Sequence, residues 1–119
     1  MSKHNELGKK GEQLAVDFLI GKGYTIVERN YRFDRAEVDV IARKGDILSV
    51  VEVKTRSTSD FGNPQDFVKP EQIKNLVKAV NEYVIENGLD VEVQFDIIAI
   101  VKNKGSFEIE HIQDAFYHF

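Results

Sequence analysis

The sequence predicts one α/β (α+β) domain over residues 1–119, in which helices flank a central mixed β-sheet in the order αβββαββ. Two segments, near residues 5–20 and 70–87, repeat apolar residues at helical spacing, and five other segments have the residue pattern of strands. The composition, 42% apolar and 30% charged residues, is typical of a globular protein. A chain of 119 residues suits a single hydrophobic core, so we expect one domain.

The first helix is expected from Asn5 to Ile20, and Gly21 ends its pattern. Gly8 and Gly11 lie inside it, and each costs about 1 kcal/mol relative to alanine. We expect the close approach of another backbone, of protein or phosphate, to compensate for them. The apolar positions of this helix are Leu7, Leu14, Ala15, Phe18 and Leu19.

Three strands are expected next, at Tyr24–Tyr31, Ala36–Arg43 and Ile47–Thr55. The first is the least regular. The second and third are rich in β-branched residues, and Lys44-Gly45-Asp46 between them is a turn signal. These two strands should therefore form an antiparallel hairpin.

The second half of the chain begins with a polar segment, Arg56–Lys69, that is typical of a loop. Pro70 suits the first turn of a second helix, and Gly88 is placed to end it. Val91–Val101 is an almost continuous apolar run and predicts a central strand. A turn then leads into a last strand, Phe107–Ile112.

Composition excludes several classes of function. The chain has no cysteine, which rules out disulfides, zinc–thiolate sites and thiol nucleophiles. No apolar run approaches the roughly 20 residues that cross a bilayer, so no membrane partner is expected. The first ten residues have no apolar core of a secretory signal, and we expect a cytoplasmic protein. The three histidines are too scattered to suggest a metal cluster, and no P-loop or Gly-x-Ser-x-Gly motif occurs.

Charge is unevenly distributed along the chain. Residues 1–78 contain 14 basic and 12 acidic side chains, whereas residues 79–119 contain two basic and eight acidic ones. This asymmetry allows a nucleic-acid-binding face on one side of the protein, although an ordinary solvated surface explains it equally well.

The hairpin holds the residues that suggest chemistry. Because side chains alternate between faces along a strand, Glu37 and Asp39 should share one face. Glu52 and Lys54 should likewise share a face of the next strand. The residues expected on the opposite faces are Val38, Val40 and Ala42 of the first strand, and Val51 and Val53 of the second.

The register of the hairpin depends on the length of its turn. A two-residue turn at Gly45-Asp46 is favoured because glycine suits the first position of a tight hairpin turn. A turn one residue longer or shorter would separate the charged groups onto opposite faces. In the favoured register the opposed pairs are Lys44 with Ile47, Asp39 with Glu52, and Glu37 with Lys54.

Two carboxylates placed opposite each other on a sheet repel, so something should offset their charge. A shared proton, a nearby cation or a divalent metal would do so. Mg²⁺ takes hard oxygen ligands, and Lys54 beside it would stabilise charge on a phosphate or polarise a bound water. Asp39, Glu52 and Lys54 together therefore suit phosphodiester hydrolysis. Alternatively, Glu37 and Lys54 form an ordinary cross-strand ion pair, and Asp39 and Glu52 line a solvated face.

Asp39, twelve intervening residues and Glu52-Val53-Lys54 together resemble the D…(D/E)-x-K signature of the restriction-endonuclease-like nuclease superfamily. Further matches extend along the chain. They are Gly8-x-x-Gly11-Glu12, Asn30-x-Arg32, Glu37-x-Asp39, Val51-Glu52-Val53-Lys54-x-Arg56, Phe61-Gly62-x-Pro64 and Phe95-Asp96. Over roughly residues 5–112 this combination is similar to the YraN-like family, uncharacterised bacterial proteins likened to Holliday-junction resolvases.

The resemblance implies a restriction-endonuclease-like fold and a Mg²⁺-dependent DNA endonuclease, with Mn²⁺ as a second metal that would serve. Asp39 and Glu52 would be metal ligands, with the Val53 carbonyl as a third. Lys54 would be the catalytic lysine. Glu12 would be an additional acidic residue of the catalytic site, holding a ligating water or a second metal. Alternatively, it is a solvated residue that interacts favourably with the dipole at the N-terminus of its helix.

The same resemblance assigns contacts to nucleic acid. Arg32 and Arg56 would face phosphate, and Lys69 and Lys74 would add contacts from the second helix. As alternatives, these are ordinary ion-pair partners or solvated lysines. Glu37 would support the acidic site.

The chain departs from the family pattern at two positions. Ala36 stands where the pattern favours glycine. Gln94 stands where the pattern often has arginine, which removes a candidate cation and weakens the case for Asp96 as part of a charged network.

The expected partner is DNA, and the likeness to resolvases adds branched or junction DNA as a candidate substrate. A resolvase would cut a four-way junction symmetrically and would therefore need two active sites. At this size only a homodimer would supply two active sites. The aromatic tail, Phe116, Tyr117 and Phe119, is a candidate dimer interface. The alternative from a different class is a non-catalytic nucleic-acid-binding or dimeric assembly module that keeps the nuclease fold.

Overall fold

A computed structural model describes residues 6–57 and 68–115 of the chain. It contains two helices and five strands in these ranges, in the order αβββαββ that the sequence predicts. The elements are α1 Glu6–Gly21, β1 Thr25–Phe33, β2 Ala36–Lys44, β3 Ile47–Arg56, α2 Pro70–Glu86, β4 Glu92–Asn103 and β5 Ser106–Ile112.

The five strands form a single mixed sheet in the order β1-β2-β3-β4-β5. Strands β3 and β4 are parallel, and the other three neighbouring pairs are antiparallel. Helix α2 makes the long connection that a parallel pair requires. The prediction of a central mixed sheet flanked by helices is therefore confirmed.

Two hydrophobic clusters lie on opposite faces of the sheet. Leu19 and neighbouring residues of α1 pack with Val40, Val51 and Ile98 on one face. Leu76 and its neighbours in α2 pack on the other face. The sheet is therefore the middle layer of three, which is why the central residues of β3 and β4 are buried.

The first strand is irregular, as predicted, because the register of β1 against β2 shifts between Ile26 and Glu28. It also extends past Tyr31 to Phe33. The prediction that a backbone compensates for Gly11 is wrong, because a Cβ atom at this position would overlap the side chain of Thr55 on β3. Gly11 thus lets α1 lie directly against the end of β3.

Two features predicted from the sequence lie outside the described residues. These are the Phe61-Gly62-x-Pro64 motif and the aromatic tail Phe116, Tyr117 and Phe119. In the part of the chain that the structure describes, no helix is both long and apolar enough to span a membrane.

Candidate functional site

The site lies where β2 and β3 stop pairing. Their antiparallel ladder runs from Lys44↔Ile47 at the turn to Val40↔Val51. The two-residue turn is therefore confirmed, and Gly45 adopts a positive φ of 62° there. Asp39 and Glu52 are the next residues beyond the last pair of this ladder.

The alternation predicted for β2 fails at Asp39. Val40 and Ala42 pack in the cluster beneath α1, as expected for residues that share a face. Val38 was predicted to join them, and this is wrong, because it packs in the cluster beneath α2. Asn30, between the β1 partners of Val38 and Val40, has a positive φ of 53°. The sheet is thus distorted at this point, and Asp39 lies at the distortion.

The distortion directs the Asp39 carboxylate toward β3. Its Oδ2 accepts a hydrogen bond of 2.8 Å from the backbone N–H of Val53. A side chain therefore replaces the backbone acceptor that a continued ladder would supply. Because the N–H and C=O of one residue point to the same side of a strand, the Val53 carbonyl also points toward β2. One carboxylate and one carbonyl thus converge on the gap between the strands.

Glu52 and Lys54 share the face of β3 that lies toward α2, as predicted. The Lys54 ammonium lies 3.2 Å from Glu52 Oε2, and both side chains are largely buried. Gln72 of α2 donates a hydrogen bond of 3.3 Å to the same oxygen. The expected opposition of Glu37 and Lys54 is not what the structure shows, since Glu37 pairs with Arg32 across β1 and β2 at 3.6 Å.

The two acids have strongly altered proton affinities. Burial, and next the repulsion of Glu52, raises the pKa of Asp39 to about 8, against the opposing effect of the Val53 N–H. Burial also raises the pKa of Glu52, and the Lys54 charge opposes that change. A proton on Asp39 and the ammonium of Lys54 therefore both reduce the repulsion that the sequence predicted.

These groups line an open cavity of ≈ 710 Å³, and both helices as well as β2 and β3 contribute residues to its wall. Helix α1 contributes Gly8 and Glu12 to its wall, and the charge of Glu12 contributes to the raised pKa of Asp39. Helix α2 contributes Gln72 and Asn75. The site is therefore assembled from three layers of the fold and is accessible to a ligand.

The donor set of this cavity suits a hard divalent cation. Asp39 and Glu52 offer carboxylate oxygens and Val53 offers a carbonyl, which are the ligand types that Mg²⁺ prefers. Glu52 is buried and Asp39 is partly buried, and the pKa values of both are raised. A bound cation would replace the proton that otherwise offsets their repulsion. Among the described residues, no three histidine or acidic side chains cluster closely enough to hold a metal without backbone or water ligands.

The predicted basic contacts divide into two groups. Arg56 and Lys69 line the cavity, as does Arg35. Arg32 is not among the lining residues described, and its guanidinium is paired with Glu37. Lys74 is exposed on α2 and is likewise absent from the described cavity wall.

No sequence pattern pointed to Gln72, which reaches Glu52 from another layer of the fold. The contacts of Asp96 were likewise not predicted. Gln94, which stands in place of the candidate cation, donates a hydrogen bond from its neutral amide to Asp96 Oδ1 at 3.1 Å. Asp96 is fully buried, and its Oδ2 lies 2.8 Å from His111 Nε2.

Comparison with known proteins identifies the family. Residues 11–100 match the model of the uncharacterised protein family UPF0102. This chain belongs to that family. The match spans Glu12, Asp39, Glu52, Lys54 and Gln72, whereas Gly8, which also lines the cavity, precedes it. The YraN-like resemblance found in the sequence is thereby confirmed.

Relatives of similar length support the assignment. A UPF0102 protein of Christiangramia forsetii is 67% identical over all 119 residues of both chains. A UPF0102 protein of Flavobacterium psychrophilum is 63% identical, again over the full length of both. One from Phocaeicola vulgatus is 44% identical over 98% of this chain and 97% of its own.

Proposed function

We propose that this UPF0102 protein is a Mg²⁺-dependent endonuclease that hydrolyses a phosphodiester bond of DNA. The observation that supports this proposal most directly is the placement of Asp39, Glu52 and Lys54 at one break in the sheet, facing one open cavity. Two acids that repel each other at low exposure destabilise the folded protein unless a proton or a cation offsets their charge. A divalent cation bound between them would supply that offset.

Each residue has a defined task in this proposal. Asp39, Glu52 and the Val53 carbonyl would hold the metal, which supplies Lewis acidity toward the scissile phosphate and its attacking water. Mn²⁺ would serve in place of Mg²⁺. The Lys54 ammonium would stabilise the negative charge that develops on the phosphate oxygens. Glu12, on the opposite wall, would orient a water molecule.

The basic residues at the cavity define where the DNA strand would lie. Arg35, Arg56 and Lys69 would contact phosphates on either side of the cleaved bond. The positively charged surface for DNA would be limited to this region, because the last 41 residues are strongly acidic. A short contact of this kind favours a distorted or branched substrate over a long duplex. Symmetric cutting of a four-way junction would require a homodimer.

The test is cleavage of labelled duplex, single-stranded and four-way-junction DNA with Mg²⁺, Mn²⁺ or EDTA. Cleavage should require the metal and should fall at least about 100-fold in Asp39→Asn and in Lys54→Met. Asp90→Asn and Lys102→Met change equivalent charges at exposed positions and should leave activity intact. Salt-sensitive DNA binding without cleavage in any metal would instead identify a non-catalytic binding module.

A further inference from the structure

Gln72 lies in the first turn of α2 and reaches across to β3. Its Nε2 donates a hydrogen bond of 3.3 Å to Glu52 Oε2. We propose that Gln72 is a positioning residue, which orients the Glu52 carboxylate so that its other oxygen, Oε1, is presented to a divalent cation. This inference rests on the proposed function, because it concerns how the same site binds its metal.

The two donors to Glu52 contact the same one of its two carboxylate oxygens. Lys54 Nζ lies 3.2 Å from Oε2, and the Gln72 amide contacts that same atom. Each carboxylate oxygen has two acceptor positions, so Oε2 can accept from both donors at once. The rotation of the Glu52 carboxylate is thereby fixed, and Oε1 is left as the oxygen for a ligand.

Lys54 alone would fix this carboxylate poorly. Its ammonium is on a flexible stem, and the proposed chemistry needs it on the phosphate rather than on Glu52. Gln72 belongs to a helix that the buried side chains of Leu76, Ala79 and Val80 hold against the sheet. A donor from this separate layer keeps Glu52 oriented when Lys54 moves to the substrate.

The neutral amide also matters electrostatically. A second cationic donor at this position would stabilise ionised Glu52 but would repel a divalent metal. The amide of Gln72 supplies a hydrogen bond without that repulsion. Hydrogen-bond partners of metal ligands commonly change metal affinity by about 10–100-fold when removed.

The test measures Mn²⁺ affinity by isothermal titration calorimetry, without DNA, for the full chain and for two variants. Gln72→Met keeps the volume of the side chain and removes the donor. Gln72→Asn keeps an amide but shortens its reach by one methylene. Both should bind Mn²⁺ about 10-fold more weakly or worse. Asn81→Met makes a similar change on the exposed side of the same helix and should bind as the wild type does.

A kinetic readout separates positioning from a structural role. In DNA cleavage at saturating Mn²⁺, kcat should remain reduced in Gln72→Met while KM for DNA changes less than about twofold. Thermal unfolding should show that both variants are folded at the assay temperature. Loss of helix packing alone would lower the melting temperature without this selective effect on the metal.

The outcomes distinguish this inference from the proposed function. Mn²⁺ affinity in Gln72→Met equal to that of the wild type would overturn the role of Gln72 and leave the proposed function standing. A wild-type protein that neither binds Mn²⁺ nor cleaves DNA would overturn the proposed function, and the inference with it.

Discussion

The Asp39 carboxylate accepts a hydrogen bond of 2.8 Å from the backbone N–H of Val53. An acidic side chain thereby takes the position of a backbone acceptor at the point where β2 and β3 separate. The same bond brings Asp39 within the electrostatic influence of Glu52 and holds the gap between the strands open toward the cavity. This one hydrogen bond therefore both ends the pairing of the two strands and positions a proposed metal ligand.

Asp39 should make the stability of the protein decrease with rising pH. Its pKa is about 8 in the folded protein, well above the ordinary value of 3.8. The folded state therefore holds a proton that the unfolded state releases, and the free energy of unfolding falls as pH rises from about 4 to about 8. Each pKa unit corresponds to about 1.4 kcal/mol, so the effect is of the order of a few kcal/mol.

Asp39→Asn removes this ionisation and should be more stable than the wild type at pH 8, with little difference at pH 4. Urea unfolding at pH 4, 6 and 8, without divalent ions, measures the effect. Asp90→Asn, an exposed aspartate, is the control and should follow the wild type. An Asp39→Asn protein that is equally stabilised or destabilised at all three values would contradict the raised pKa.

Metal binding should tighten with pH in the same range. A cation that takes the place of the Asp39 proton releases it, so Mn²⁺ affinity should rise by up to about tenfold per pH unit below the pKa of Asp39. Calorimetry at pH 7 in two buffers of different ionisation enthalpy would count the released proton. Equal apparent enthalpies in both buffers would show that no proton leaves, and would argue against Asp39 as a ligand.

The hairpin shows how far local sequence rules reach. The register followed from turn chemistry, since Gly45 occupies the positive-φ position that a tight turn needs. The face of Val38 did not follow, because strict alternation assumes an undistorted strand. Packing of Val38 beneath α2 overrides that alternation, and this is a tertiary effect that no local rule contains.

The two missed interactions differ in kind. Gln72 meets Glu52 across 20 residues of sequence and between two layers, so nothing short of the fold predicts their contact. Asp96 and His111 were within reach of sequence reasoning. The pairing of β4 with β5 places His111 opposite Ile98, and Asp96 is the next residue on that face. Diagonal neighbours of this kind interact in antiparallel sheets.

Gly11→Ala should destabilise the protein, although alanine favours helices. An added Cβ would overlap the side chain of Thr55, and overpacking of this kind costs about 1–3 kcal/mol. The gain in helix propensity returns up to about 1 kcal/mol. Thermal unfolding measures the net loss. Gly21→Ala, where a Cβ meets nothing within 4 Å, is the matched control.

Thr55→Ala should partly rescue Gly11→Ala, since it removes two of the three overlapping atoms. The double variant should then be more stable than the sum of the two single changes predicts. Strict additivity would show that α1 moves away from β3 instead of pressing on Thr55.

His111→Ala should be among the most destabilising single substitutions. It removes the 2.8 Å partner of Asp96, whose carboxylate is fully buried, and loses the edge contacts of the imidazole with Phe18 and Tyr24. Leaving a buried hydrogen-bonding oxygen without its partner costs about 1–3 kcal/mol, and the lost ring contacts add to this cost. Urea unfolding of His111→Ala, Asp96→Ala and the double variant would give the coupling. Values that simply add would contradict a direct interaction.

Lys69 and Lys74 provide a matched pair for the proposed DNA contact. Both are exposed lysines at the start of α2, but Lys69 lines the cavity and Lys74 is absent from the wall described. Each phosphate contact contributes about −0.9 to the slope of log affinity against log salt concentration on duplex DNA. Lys69→Ser should reduce that slope by about this amount, whereas Lys74→Ser should leave it unchanged. Fluorescence anisotropy with junction DNA between about 50 and 200 mM salt measures both. Equal changes in the two variants would show that DNA follows the outer face of α2, away from Asp39 and Glu52.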